Sequence, residues 1–314
     1  MAIGALVGMG VTAWWATRSV RSQANGTLAQ AVATYLSLVT PRDRSVGLNP
    51  ARLLSASSSL AGSSFWNAGL QAALGNTPLL ADTIGLGSLP PEILVLVEQA
   101  PGPILLHDQA RVPVAVARLL DHDLWNPVGW VAVWNGVPPT DGAPVALGLA
   151  LLASLAIAFS LGSTSRVPRW IPGALAATAL LAAWLGFDVR RTAVQATDLP
   201  LLRIRRLIEI AASADGVRAA DLPAIAPGPA LITEWVPQPD QRAERVGRER
   251  AGGEVYAVLV ASLQGGTGLR IRVLAGESRL ALVWVVLAGW TAVAAAALLV
   301  GRPGGTVTGR SEGS

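Results

Sequence analysis

The chain has 314 residues, of which 52% are apolar and only 14% charged, whereas soluble domains carry about a quarter charged residues. All 24 basic residues are arginine and there is no cysteine, which excludes P-loop, Schiff-base and kinase-strand lysines, disulfides, thiol nucleophiles and cysteine metal sites. A net charge of +4 is not the basic footprint of a nucleic-acid binder.

The first uncharged run, residues 2–17, is short against the roughly 20 apolar residues that a bilayer core requires. It lacks a positive n-region and holds TAWWAT where small cleavage-site residues belong, so it reads as a membrane helix rather than a removed signal peptide. Gly4 and Gly8 offer a small-residue packing face, although ordinary Gly/Ala-rich composition accounts for the pair as well. Beyond Thr17, apolar residues at Val20, Leu28, Val32, Tyr35 or Leu36, and Val39 keep helical spacing, and the helix is expected to leave the membrane and stop at Pro41. NPARLLSASSSLAG is a helix capped by Asn49 with Pro50 in its first turn. SSFWNAGLQAALGN and PPEILVLVEQA are read as two further short helices. The period then changes, and PILLHD, ARVPVAVARLLD and VGWVAVWNG read as strands, with Pro113 confining the middle one to an edge or to a start there.

Two more uncharged runs follow at 142–165 and 170–187, and a last one at 280–301. The short loop 166–169 holds Arg166 and Arg169 without an acid, and the tail holds Arg302 and Arg310, so both face the cytoplasm. After Asp188 a helix carrying Leu201, Leu202, Ile204, Leu207, Ile208 and Ile210 leaves the membrane, with Pro200 expected to kink it. Arg203, Arg205 and Arg206 form a solvated basic face or, alternatively, a site for a lipid head or anion. PALITEWV, an arginine-rich loop, EVYAVLVASL and LRIRVLA complete a second set of about three strands. The expected fold class is therefore a membrane α-helical protein with four transmembrane helices and two small α+β extracytoplasmic domains. Its segments are 1–17, 142–165, 170–187 and 280–301 in the bilayer of a bacterial cytoplasmic (inner) membrane, 18–141 and 188–279 outside, and 166–169 and 302–314 inside. The spans carry no charged residue or histidine, which argues against a transporter, channel or pump.

GALVGMGVTAWWATRSVRS at 4–22 and GALAATALLAAWLGFDVRR at 173–191 match without a gap at Gly4/Gly173, Ala5/Ala174, Leu6/Leu175, Ala13/Ala182, Trp15/Trp184, Val20/Val189 and Arg21/Arg190. Helix, outer domain, helix is thus written twice, a tandem duplication. In that order of elements the chain resembles the extracytoplasmic PAS-like and Cache-like input modules of bacterial membrane-bound sensor kinases and chemoreceptors. The resemblance implies an antiparallel sheet that binds a small ligand or partner, and a last strand that leads into the returning helix. Residues 302–314 hold no HAMP-like coiled coil, phosphoacceptor helix or ATP lid, so the output is expected from another protein or from a longer receptor of which this is the input half.

Trp125, Trp130 and Trp134 surround the third strand. With His107 they are candidate ligand-binding residues, the alternative being a small domain's core. Asp121, His122 and Asp123 have metal-ligand chemistry, the alternative being a solvated turn, and the two histidines are also candidate pH sensors. No Gly-x-Ser-x-Gly elbow or phosphate loop is present. The reading is a non-enzymatic sensory protein without cofactor, partnered by the lipid bilayer, a small-molecule ligand, and a second copy or a cytoplasmic output protein, but no nucleic acid. The alternatives are an accessory subunit of a larger membrane complex and a membrane enzyme using the 121–123 cluster.

Overall fold

Long continuous helices frame the chain in the computed structural model, which describes residues 2–40, 42–43, 47–80, 86–107, 113–121, 126–134, 170–226, 230–237, 245–263, 266–275 and 280–300. Helix α1 (Ala2–Val39) is followed by the two-residue strands β1 (Arg42–Asp43) and β2 (Gly47–Leu48), helix α2 (Pro50–Ala61), strands β3 (Gly69–Leu74) and β4 (Thr77–Leu80), and helix α3 (Pro91–Gln99). Strands β5 (Ile104–His107), β6 (Pro113–Leu120) and β7 (Pro127–Trp134) follow. Helix α4 (Trp170–Ser213) leads through a 3₁₀ turn (Ala219–Ile225) to β8 (Ala230–Pro237), β9 (Gly247–Ala251), β10 (Glu254–Ser262), β11 (Thr267–Leu274) and helix α5 (Leu280–Val300).

The expectation of four transmembrane helices is overturned. Among the described residues one helix, Gly173–Ser213, is long and apolar enough to cross a membrane. Glycines, threonines and two tryptophans lower the aliphatic content of α1, and in α5 the apolar stretch with described side chains is Leu280–Ala296. The run at 142–165 lies outside the described residues.

Contacts divide the chain into two units. The first comprises Met1–Ala16, Thr140–Val189 and Leu280–Ser314. Here the apolar helices meet through indoles set on glycines: a Cβ on Gly8 would lie 2.6 Å from the ring of Trp290, and one on Gly186 2.2 Å from Trp284. Trp290 Nε1 donates to Thr12 Oγ1 at 3.3 Å. Gly4 has nothing within 4 Å of such an atom, so only Gly8 of the proposed pair serves packing.

The second unit, Thr17–Pro139 with Arg190–Arg279, contains both sheets. They are antiparallel, ordered β4-β3-β7-β6-β5 and β8-β11-β10-β9. Matching β3, β5, β6 and β7 to β8, β9, β10 and β11 gives one order in both, a three-strand meander whose last strand pairs with the first strand of its module. One apolar core joins the two modules. Leu28, Val32 and Leu36 of α1 and Leu201, Ile204, Leu207 and Ile208 of α4 belong to the same cluster as Val131 and Val133 of the first sheet and Leu259 and Ile271 of the second. Ser37 Oγ, fully buried on α1, donates to Leu120 O at 2.7 Å and fixes the helix to β6.

Two local readings are corrected. GLQAAL is strand β3, not helix, and runs into β4 through a Gly75–Asn76 turn in which Gly75 has φ +54°. Short apolar runs fit either period, and here sheet pairing decides. The arginine-rich loop contains a fourth strand, β9, joined to β10 by Gly252 and Gly253 at φ +59° and +84°, a pair suited to a tight hairpin turn. The predicted cap holds: Asn49 Oδ1 accepts from the amides of Ala51 (3.0 Å) and Arg52 (3.2 Å). Pro113 begins β6, an interior strand, and α4 runs through Pro200.

Candidate functional site

Alternation along β7 puts Trp130, Ala132 and Trp134 on one sheet face. The face is covered rather than hollow. Trp130 is fully buried and packs with Ala73, Leu89, Val97, Val114 and Val116, while Trp134 lies half-buried against the same cluster. Val97 belongs to α3, which therefore acts as the cover of this face. The segment ahead of α3 is held by amides: Gln71 donates to Gly87 O (3.0 Å) and accepts from Leu86 N (3.2 Å), and Asn76 makes the same double bond to Leu89 (2.7 and 2.8 Å). The two indole N–H groups are buried without a hydrogen-bond partner.

The carboxylate and histidine candidates do not converge among the described residues. Asp121 is buried at the end of β6, where its carboxylate accepts from Asn126 N (3.3 Å) and Nδ2 (2.9 Å) and its amide donates to Asn126 O (2.8 Å). This closes the β6–β7 turn. His107 is the last residue of β5, paired with Pro113. His122, Asp123 and Trp125 lie outside the described residues. Among the described residues no three His, Cys, Asp or Glu side chains gather as a metal site requires.

The basic triplet separates by environment. Arg205 and Arg206 pair with Glu209 at 2.8 and 3.0 Å. Arg203 is buried, donates to Asn67 O at 2.7 Å and stacks 5.6 Å from the ring centre of Trp66. Burial lowers its pKa, because desolvation disfavours the charged form. Neither reading of the triplet anticipated a guanidinium inside the core. The spacing Arg203–Leu207, which puts the arginine on the buried stripe, was the available signal.

The concave feature missed by sequence lies elsewhere in this unit. A shallow cleft runs between α1 and α4 beside the end of β11, lined by Gln23, Thr27, Ala196, Pro200, Leu201 and Val273 among others. Pro200 has no amide proton, so the Ala196 carbonyl receives no regular helical bond from it. The ungapped repeat that aligns Gly4 with Gly173 also aligns Thr27 with Ala196, and both line this cleft.

The second sheet carries charge on its outward face. Glu249 accepts from Arg270 (2.7 Å) and Arg272 (2.8 Å), Glu234 lies 3.7 Å from Arg270, and the Tyr256 hydroxyl donates to Glu254 at 2.5 Å. Where the first sheet has α3 as a cover, the second has an ion-pair network.

Set beside protein-family models, curated proteins and solved structures, the chain matches none.

Proposed function

We propose that the protein is a membrane-anchored, non-catalytic sensory module in which the sheet unit passes a conformational change to helices α1 and α4. The observation that carries this reading is the repetition of one strand order in two sheets, each preceded by a long helix, with the equivalent helices meeting around one cleft. The first sheet adds a hairpin strand beside β3 and a helix before the meander, the element order of PAS-like input domains. Here two modules in one chain share one core.

The apolar part of α4 ahead of Asp188 is the membrane segment. Arg166 and Arg169 precede it, which assigns that side to the cytoplasm of a bacterial cell and the sheet unit to the outside. A ligand or partner acts by binding one arrangement of the helices better than the other, since it shifts an equilibrium only by that difference. The tryptophan face is filled by α3, which makes the cleft between α1 and α4 the place where such a difference is felt. At that cleft Pro200 weakens the backbone ladder of α4, and the neighbouring Thr27 and Ala196 are small.

The test uses the absence of cysteine. Thr27→Cys and Ala196→Cys are combined in the whole chain, bridged in living cells with a short bismaleimide, and the transcript profile is compared with that of cells carrying either single substitution. The sensory reading expects the bridged chain to change the profile. An unchanged profile, with the bridged protein still held stoichiometrically in a larger membrane complex, rejects it in favour of an accessory subunit.

A further inference from the structure

We infer that the cleft between α1 and α4 is a binding site for a small uncharged molecule of the carboxamide type, held by its N–H donors while its apolar body packs on the aliphatic wall. The signalling consequence rests on the sensory reading proposed above, whereas the site itself follows from the lining of the cleft.

The walls come from two helices and one strand end. On α4, Ala196 and Pro200 stand one helical turn apart, followed by Leu201 and Ile204, and on α1 Gln23 and Thr27 are likewise one turn apart. The cleft takes in about 410 Å³, part of it open to solvent, at the lower end of the about 300 to 1,000 Å³ usual for small-molecule sites. A helical carbonyl points along the axis toward the amide four residues on. For Ala196 that position is Pro200, which has no N–H, and because both residues line the cleft the acceptor lies on its wall. Thr27 Oγ1 donates to Gln23 O at 3.0 Å and Thr197 Oγ1 to Ala193 O at 2.9 Å. Neither hydroxyl has its proton to give, and at Thr27 and Ala196 the wall presents oxygen acceptors.

Acceptor-rich walls select a donor, and their lack of charge selects a neutral one. Among the described residues lining the cleft none is charged. The charged side chains interleaved with the lining on α4 are engaged elsewhere: Asp198 with Arg248 at 2.7 Å, and Arg203 with Asn67 O and the Trp66 ring. An ionised ligand would lose its water there without gaining a counter-charge. A primary amide meets both conditions. Its two N–H groups serve the Ala196 carbonyl and Thr27 Oγ1, its own oxygen accepts from the side-chain amide of Gln23, and an alkyl or aryl body covers Leu201, Ile204 and Val273. Such a ligand bridges α1 and α4 at the turn where Pro200 interrupts the backbone ladder, and so favours one arrangement of the two helices.

The test uses the whole chain in lipid nanodiscs with single cysteines, Val20→Cys or Val273→Cys on the wall and Arg250→Cys on β9 as the control. The probes are benzamide, isobutyramide and acetamide, set against methyl benzoate, which lacks the donor, and benzoate, which carries a charge. At about four times an amide's Kd, mass action leaves about one-fifth of the clefts empty, so maleimide labelling of a wall cysteine should slow about five-fold. The control rate should not change, and methyl benzoate and benzoate should alter none of the rates. Pro200→Ala supplies the missing N–H to the Ala196 carbonyl and should abolish protection, with helix content by circular dichroism retained. Thr27→Val should raise the half-protecting concentration about two- to ten-fold, the worth of one hydrogen bond. Equal protection by methyl benzoate, protection that survives both substitutions, or no saturable protection by any of the three amides overturns the inference. A protecting amide in a chain whose α1–α4 bridge leaves the transcript profile unchanged rejects the sensory reading and keeps the site; the converse pair of results rejects the site and keeps that reading.

Discussion

Replacing Trp130 separates a space-filling indole from one that serves a ligand. The ring is fully buried under α3, so Trp130→Ala removes a core side chain, which costs about 3 to 5 kcal/mol. In a unit of this size each kcal/mol lowers the melting temperature by about 2 to 4 °C, giving an expected fall of about 6 to 20 °C. Trp130→Phe should behave differently. The smaller ring leaves part of the site empty, at about 1 to 2 kcal/mol. It also removes an indole N–H that is buried without a partner, a defect worth about 1 to 3 kcal/mol. The two terms oppose, so the net change should lie between about 1 kcal/mol of loss and about 2 kcal/mol of gain, and the melting temperature should fall by no more than about 4 °C. The measurement is thermal unfolding of the whole chain in nanodiscs, followed by far-ultraviolet dichroism. A loss for Trp130→Phe as large as for Trp130→Ala would refute the reasoning, because the N–H would then be making a bond that matters. A harmless Trp130→Ala would remove Trp130 from the core altogether.

Gly129→Ala tests the close approach of β7 and β3. Its Cβ would fall 2.0 Å from the Ala73 carbonyl oxygen and 3.0 Å from Leu74 Cα, both backbone atoms, so the loss should reach or exceed the about 1 to 3 kcal/mol typical of overpacking; an unchanged melting temperature contradicts the β3–β7 register. The two tyrosines predict the alkaline limit of stability. Burial raises the pKa of Tyr35, and the hydrogen bond to Glu254, followed by burial, raises that of Tyr256. Above pH of about 10 the unfolded chain loses these protons while the folded one keeps them, so stability falls as pH rises through that range. Phenolate absorbance should titrate above pH of about 10 in the folded protein and near 10 in urea, with Tyr35→Phe easing the alkaline loss; coincident titrations would show that neither hydroxyl is shielded.

The sequence by itself determined the elements whose signals are local. Asn49 and Pro50 mark the start of α2 because cap and first-turn chemistry reside in adjacent residues. The meander β5–β6–β7 and the hairpin β10–β11 announce themselves through alternation, and apolar spacing marks the inner faces of α1 and α4 at Leu28, Val32, Leu36 and Leu201, Ile204, Leu207, Ile208, although Leu202 of the same apolar run lies exposed. The tertiary structure decided what depends on partners distant in the chain. GLQAAL has the composition of a helix and becomes a strand because β7 and β4 are there to take its hydrogen bonds. The tryptophans that alternation put on one face could line a pocket or fill a core, and only the placement of α3 selects the core. Arg203, Arg205 and Arg206 are chemically alike, yet one is buried against Trp66 and two are paired with Glu209 because a helix face acquires its surroundings from other elements. The repeat in the first and third apolar runs was legible as a string; that it extends to a shared strand order and closes one core around two helices is a property of pairing and packing, which no local run of residues encodes.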